Sequence, residues 1–198
     1  MDDADGPRAS RPHKGWHNRG YLPHFDAGAV VQTITFRLAD SLPRALYAEM
    51  VAELAGDAEL RPTLDRVIDE GRGECLLRDS GNAQIVREAL DHFDGERYLL
   101  LAWVIMPNHV HAMIEQIDGY ALGGILHAWK SYTAKAINKR RGSRGVVWAA
   151  DYFDRYIRDT EHYEAAAYYI ENNPVKAGLV PQAEDWPFSS ARQRNGAN

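Results

Sequence analysis

A mixed fold of helices around an antiparallel pair of strands is predicted by three observations. Tyr98 to Ile105 is a continuous apolar run of strand length, of the kind buried on both faces at a sheet centre. Met106-Pro107-Asn108 interrupts it: proline removes a ladder donor and asparagine favours turns, so the chain reverses and returns through His109 to Glu115 as an antiparallel neighbour. Around this pair, apolar residues recur at spacings of three and four, the period of helices packed on a sheet.

Taken in order, residues 1 to about 20 combine Gly, Pro, Ser, His and mixed charge with almost no aliphatic residues, and read as a flexible arm. Val30 to Leu38 alternates as a first strand, with Val31, Thr33, Thr35 and Arg37 on one face and Ile34, Phe36 and Leu38 on the other. Pro43 opens a helix carrying Leu46, Met50, Val51 and Leu54, and further helices are predicted over about 61–70 and 82–93. Ile125, Leu126, Trp129, Thr133, Ala136 and Ile137 keep helical spacing up to Lys139-Arg140-Arg141 and Gly142, a fitting helix end. A short extended piece, Val146-Val147-Trp148, and the segment Tyr152 to Arg158 lead to Asp159 or Thr160, either of which can cap a helix from Glu161 to about Asn173. Pro174 is expected to end that helix, because the residue before a proline is pushed away from helical dihedrals.

The 198 residues, 45% hydrophobic and 26% charged, suffice for one domain with extensions. No run of eighteen apolar residues occurs and the acidic N-terminus lacks an apolar segment, so neither membrane insertion nor secretion is expected and a cytoplasmic protein is. A single cysteine, Cys75, can form neither an intramolecular disulfide nor a thiolate metal site alone, and reads as a small hydrophobe. The net charge of −5 argues against a nucleic-acid partner until its distribution is considered. Between Glu49 and Arg97 the balance is thirteen acidic to six basic residues, whereas Lys130, Lys135, Lys139, Arg140, Arg141, Arg144, Arg155 and Arg158 face only Asp151 and Asp154. Such a basic stretch is either a solvated helix face or an electrostatic track for a phosphate backbone.

His109 and His111 are two apart on a strand, so both imidazoles point the same way while Val110 and Ala112 face the opposite layer. That arrangement suits a single divalent ion. On the last helix Tyr169 and Asn173 are four apart and share a face, so a phenol and an amide oxygen can meet one site. A tyrosine nucleophile would need activation by a metal, a positive potential or a base, since its ordinary pKa is near 10. Tyr163, Tyr168 and Tyr169 compete for that role on sequence grounds alone.

Met106-Pro107-Asn108-His109-Val110-His111, His127-Ala128-Trp129-Lys130-Ser131-Tyr132-Thr133-Ala134, Tyr169-Ile170-Glu171-Asn172-Asn173-Pro174-Val175-Lys176-Ala177-Gly178-Leu179-Val180 and Asp185-Trp186-Pro187-Phe188-Ser189-Ser190 follow one another in order and well spaced. Together they closely resemble the REP-associated tyrosine transposases, of the IS200/IS605-like single-tyrosine branch of the HUH endonuclease superfamily. The resemblance runs from about Tyr21 to Ser190 and implies an α+β fold with a ferredoxin-like central antiparallel sheet flanked by helices, with a transposase domain over 21–180 and a C-terminal tail over 181–198. It implies His109, His111 and Asn173 as ligands of Mg²⁺ or Mn²⁺ and Tyr169 as the nucleophile. The implied reaction is cutting and rejoining of single-stranded DNA at hairpin-forming repetitive palindromic elements, through a 5′-phosphotyrosine and a free 3′-hydroxyl. The bacterial nucleoid is the expected setting, and a monomer is favoured over a dimer.

The basic residues Lys130, Lys135, Lys139, Arg140, Arg141, Arg144 and Arg155 are the expected backbone contacts. Trp129, Trp148 and Tyr152 are offered as stacking surfaces for unpaired bases, with core packing as the plainer role of each. No Gly-x-x-x-x-Gly-Lys-Ser/Thr loop is present, in keeping with a covalent intermediate that preserves the phosphodiester energy. The acidic span from Glu49 to Glu96 reads as an elaboration between the first strand and the central pair; the Arg-Arg-Gly-Ser-Arg-Gly loop has no assigned part. Two rivals remain at this point: a hairpin-DNA binder that no longer cuts, and a zinc hydrolase of small substrates using the histidines with Glu115.

Overall fold

The computed structural model describes residues 15–18, 23–26, 29–54 and 60–195. A hairpin of β1 (Gly15–Asn18) and β2 (Pro23–Asp26) precedes a four-stranded sheet of β3 (Val31–Arg37), β4 (Tyr98–Ile105), β5 (His109–Gln116) and β6 (Phe153–Tyr156). Gly15–Asn18, inside the stretch read as an arm, is thus paired with Pro23–Asp26, and residues 1–14 lie outside the described residues.

The sheet order is β4-β5-β3-β6 and each neighbouring pair is antiparallel. Three helices, α1 (Arg44–Leu54), α2 (Leu60–Asp69) and α3 (Ser80–Asp91), intervene between β3 and β4; α4 (Leu122–Arg141) joins β5 to β6, and α5 (Thr160–Lys176) follows. With the first crossover counted as one unit, this is the β-α-β-β-α-β order of the ferredoxin-like fold, as the resemblance implied. The acidic span is an elaboration of that first crossover. Among the described residues no helix is long and apolar enough to cross a membrane.

The period of two divides the sheet between two cores. Ile34, Phe36 and Leu38 of the β3 side, with Val110, Ala112 and Ile114 of β5, pack against α3 and α4 through Val86, Leu90, Leu122, Ile125, Leu126 and Trp129. Met113 faces the other way, onto Ala167 and Ile170 of α5. The histidines share the face of Met113, so β5 carries aliphatic packing on one side and the candidate chemistry on the other.

Two features differ from expectation. β6 completes the sheet, although Tyr152 to Arg158 suggested no strand; four residues alternating Phe153, Asp154, Arg155 and Tyr156 carry too weak a period to read. Helix α5 runs through Pro174 to Lys176 rather than stopping before it. A proline so close to a C-terminus forfeits one hydrogen bond, and the turn closes around it by bonds from Ala177 N–H to the Asn173 carbonyl and from Leu179 N–H to the Pro174 carbonyl, both 2.9 Å. Asp159 caps the other end, its carboxylate accepting from His162 N–H at 2.8 Å.

The residues after α5 dock along β4. Ile105 N–H donates to the Phe188 carbonyl at 2.9 Å, Trp186 Nε1 donates to the Ile105 carbonyl at 2.9 Å, and Ser190 Oγ accepts from Trp103 N–H at 3.0 Å while donating to Glu171 at 2.7 Å. A short helix α6 (Ser190–Asn195) ends the segment.

Trp129, Trp148 and Tyr152 are buried, at 2%, 5% and 7% exposure, so none offers a stacking face for a base. Instead the two tryptophans satisfy a chain of core hydrogen bonds. Trp148 Nε1 donates to Thr133 Oγ1 at 2.8 Å; Trp129 Nε1 donates to Tyr98 Oη at 2.8 Å, and that hydroxyl donates to the Leu90 carbonyl at 2.6 Å. Burial, with the Trp129 donor opposing it, pushes the Tyr98 phenol up to about 12. A raised folded-state value means that the stability tied to the protonated phenol is fully present below its unfolded pKa of about 10 and is lost as pH rises through about 12. Tyr98→Phe is therefore expected to cost about 2 kcal/mol at neutral pH, from the stranded Leu90 carbonyl and Trp129 N–H. Denaturant melts of the two proteins should converge between pH 10 and 12; a gap that stays constant would disprove this account.

Candidate active site

The turn at Met106-Pro107-Asn108 fixes the first histidine. Asn108 is buried, and its Nδ2 donates to the carbonyls of Ile68 at 2.9 Å and Arg72 at 3.2 Å. With the amide nitrogen so committed, its Oδ1 faces His109 Nδ1 at 2.8 Å and accepts its proton. His109 Nε2 is then the bare nitrogen. Burial, then the neighbouring His111 and Lys176, hold the His109 imidazole well below its usual range, so it is neutral.

The register of the sheet fixes the second histidine. Thr35 lies directly opposite His111 across β3 and β5, and its Oγ1 is 2.7 Å from His111 Nδ1. The two Nε2 atoms are 3.0 Å apart. Between two such nitrogens either one proton is shared or a cation takes its place; the hydroxyl of Thr35 can accept from or donate to Nδ1 and serves both states.

Two oxygens complete the cluster. Asp69, the last residue of α2, has Oδ1 3.6 Å from His109 Nε2, while Lys176 Nζ donates to its Oδ2 at 3.1 Å. Burial pushes the Asp69 carboxyl up, against the pull of Lys176. One ligand atom each from Asp69, His109 and His111 lies within 4.8 Å of the others. Asn173 is fully buried, with Nδ2 3.4 Å from His111 Nε2. Its Oδ1 and Asp69 Oδ1 are buried and have no hydrogen-bond partner. Half a turn of the Asn173 amide exchanges nitrogen for oxygen toward the imidazoles. Two neutralisable imidazoles and two orphaned oxygens form a donor set that fits a divalent cation without thiolate.

Tyr169 stands beside this cluster. Its ring meets His111 edge-on at 5.7 Å between centroids, Lys176 Nζ is 5.1 Å from the ring centre, and its hydroxyl donates to Asp65 Oδ2 at 3.2 Å. Tyr168 points to solvent, 70% exposed, and Tyr163 packs in the α5 core. His109, His111, Tyr169 and Asn173 are thus brought together. Asp65 and Asp69 join them unanticipated; their spacing of four on one amphipathic helix was the available signal, but nothing local indicated which way that helix faces. Glu115, the carboxylate of the hydrolase reading, is absent from the group around the histidines.

The basic residues separate into two sets. Lys130 is half-buried, donates to the Ala150 carbonyl at 2.8 Å, and has its amine pushed down to about 8 by burial. Arg140 pairs with Asp79 at 2.9 Å and bonds Asn82, and Arg141 pairs with Glu74. The two arginines tie α4 to the acidic crossover, whereas Lys130 ties it to the segment before β6. Lys135, Lys139, Arg144 and Arg155 are exposed. Helix α4 packs on the sheet face opposite the histidines.

A four-stranded ferredoxin-like sheet with paired histidines on an inner strand and a tyrosine on the helix facing them defines a class, and a family comparison agrees with it: residues 79–173 match the family described as transposase IS200 like. The relatives that the chain matches are REP-associated tyrosine transposases. One from Escherichia coli is 31% identical over 108 residues, 54% of this chain and 63% of the relative, so the match spans less than two thirds of that protein. A Haemophilus influenzae protein provisionally given the same name is 29% identical over 137 residues, 63% of this chain and 76% of the relative. A solved structure of a REP-associated tyrosine transposase bound to a REP hairpin superimposes with a TM-score of 0.58 at 20% identity, covering 88% of this chain and 84% of that one, a likeness of fold.

Proposed function

We propose that the protein is a divalent-metal-dependent endonuclease and strand transferase acting on single-stranded DNA that carries a hairpin of the REP type. The observation that carries this reading is the convergence of Tyr169 with His109, His111 and Asn173 from separate elements onto one buried cluster with orphaned oxygens. In this reading His109, His111 and Asn173, joined by Asp69, hold Mg²⁺ or Mn²⁺, which would polarise the scissile phosphate when bound. Tyr169 supplies the nucleophilic oxygen, fixed by its ring contacts with His111 and Lys176 so that the attack is oriented before DNA arrives. The phosphodiester energy is retained in a 5′-phosphotyrosine, and the released 3′-hydroxyl can reclaim it. Lys135, Lys139, Arg144 and Arg155 are the proposed contacts to the DNA backbone, with Lys130, Arg140 and Arg141 contributing mainly to the fold. The N-terminal arm, the domain over 21–180 and a monomeric state belong to the same proposal.

The test is a denaturing gel of purified protein with labelled single-stranded hairpin DNA from its genomic neighbourhood and Mn²⁺ or Mg²⁺. A protein-linked DNA band that requires metal and disappears in Tyr169→Phe is expected. A band persisting in that variant would move the nucleophile to Tyr168 or Tyr163. DNA that binds but is never cut would favour the non-cutting hairpin binder.

A further inference from the structure

We infer that Asp65 is the catalytic base for Tyr169, taking the phenolic proton as the tyrosine attacks; the inference rests on the phosphotyrosyl chemistry proposed above. Asp65 lies one helical turn before Asp69 on α2, so that helix directs two carboxylates into the site. They have different surroundings. Asp69 is engaged by Lys176 at 3.1 Å and approaches His109 at 3.6 Å, whereas Asp65 Oδ2 accepts the Tyr169 hydroxyl at 3.2 Å. The imidazoles of His109 and His111 are 3.0 Å apart and held at Nδ1 by Asn108 and Thr35, so the histidines have other duties. Lys176, 5.1 Å from the tyrosine ring, favours negative charge developing there. Both aspartates lie on α2, within the three-helix crossover between β3 and β4.

The step balances. As the Tyr169 oxygen bonds to phosphorus, its proton passes to the Asp65 carboxylate; the P–O3′ bond breaks, and the departing 3′-oxygen takes a proton from water. In rejoining, the 3′-hydroxyl attacks phosphorus and gives its proton to water, the P–O bond to Tyr169 breaks, and Asp65 returns its proton to the phenolate. A phenol is intrinsically a far weaker acid than a carboxylic acid, so the proton moves as bond formation to phosphorus acidifies the phenol, and the carboxylate acts within the transition state.

Asp65→Asn keeps an oxygen that can accept the tyrosine hydrogen bond but removes the base. Adduct formation on hairpin DNA is expected to slow about a hundredfold, with Mn²⁺ binding and DNA binding unchanged. The same comparison is repeated with a ring-fluorinated tyrosine at position 169, whose phenol ionises near neutrality. There the gap between Asp65 and Asp65→Asn should shrink to less than about tenfold, since no base is needed. Equal rates in the two unfluorinated proteins overturn the inference, and so does a gap that fluorination leaves intact, which would mark Asp65 as structural. If the unsubstituted protein forms no adduct, the phosphotyrosyl reading fails and takes this inference with it.

Discussion

His111→Ala is expected to abolish Mn²⁺ binding and adduct formation together. His111 sits at the centre of the cluster: its Nε2 is 3.0 Å from His109 Nε2 and 3.4 Å from the Asn173 amide, and its ring is packed on by Tyr169. Removing it takes away a proposed ligand and the surface against which Tyr169, the proposed nucleophile, is packed. Loss of an outer partner of a metal ligand costs about 10- to 100-fold in affinity, so loss of the ligand itself should exceed about a thousandfold. Thr35→Val, which keeps the shape and removes only the hydroxyl at His111 Nδ1, should fall in the smaller range. The simplest readout is thermal. A saturating cation at a hundred times its Kd adds about 2.7 kcal/mol of stability, visible as a rise in Tm, and His111→Ala should show no rise. A variant that still gains stability from Mn²⁺ would place the cation elsewhere.

Asn108→Ala should damage fold and site at once. Its side chain joins the end of α2 and the following loop to the histidine strand, through the Ile68 and Arg72 carbonyls and His109 Nδ1. Truncation strands buried polar groups at a cost of about 2–3 kcal/mol, or a Tm lower by roughly 5–10 °C for a domain of this size. It also frees His109 to take the wrong tautomer, lowering metal affinity about 10- to 100-fold. Asn108→Asp separates the two effects. It keeps an acceptor for His109 Nδ1 but sets a carboxylate oxygen against two carbonyls, so stability should fall at least as far while more of the metal affinity survives. Equal loss of affinity in both variants would show that Asn108 acts on the metal through the fold alone.

What was legible in the sequence follows from period and proximity. The apolar run Tyr98 to Ile105 coincides with β4 residue for residue, and the shared face of His109 and His111 follows from strand alternation. The face of β3 that carries Thr35 was also legible, but its register against β5 was not, so its pairing with His111 had to come from the structure. Spacing alone could not rank the tyrosines of α5. Their difference arises from docking, which turns Tyr169 toward His111 and leaves Tyr168 in solvent. The charge pattern is only half visible in the sequence. A run of cations reads as a binding surface only until the acidic residues that meet it in space are known, and Arg140 and Arg141 meet Asp79 and Glu74 from the crossover. Pro174 does not end α5, because a helix close to its end has little left to lose to proline.

The site is also divided along the direction of synthesis. Residues 65–69 emerge from the ribosome first, the histidine strand forty residues later, and Tyr169 and Asn173 only when α5 is made. The β4–β5 hairpin is a local structure that can form early, whereas α5 must arrive to cover Met113 before phenol and imidazole meet. A nascent or truncated chain ending short of α5 therefore carries the paired imidazoles and both aspartates without the proposed nucleophile, Tyr169. The site gains Tyr169 only when the last layer over the sheet closes, so the reactivity proposed for that phenol is tied to completion of the fold.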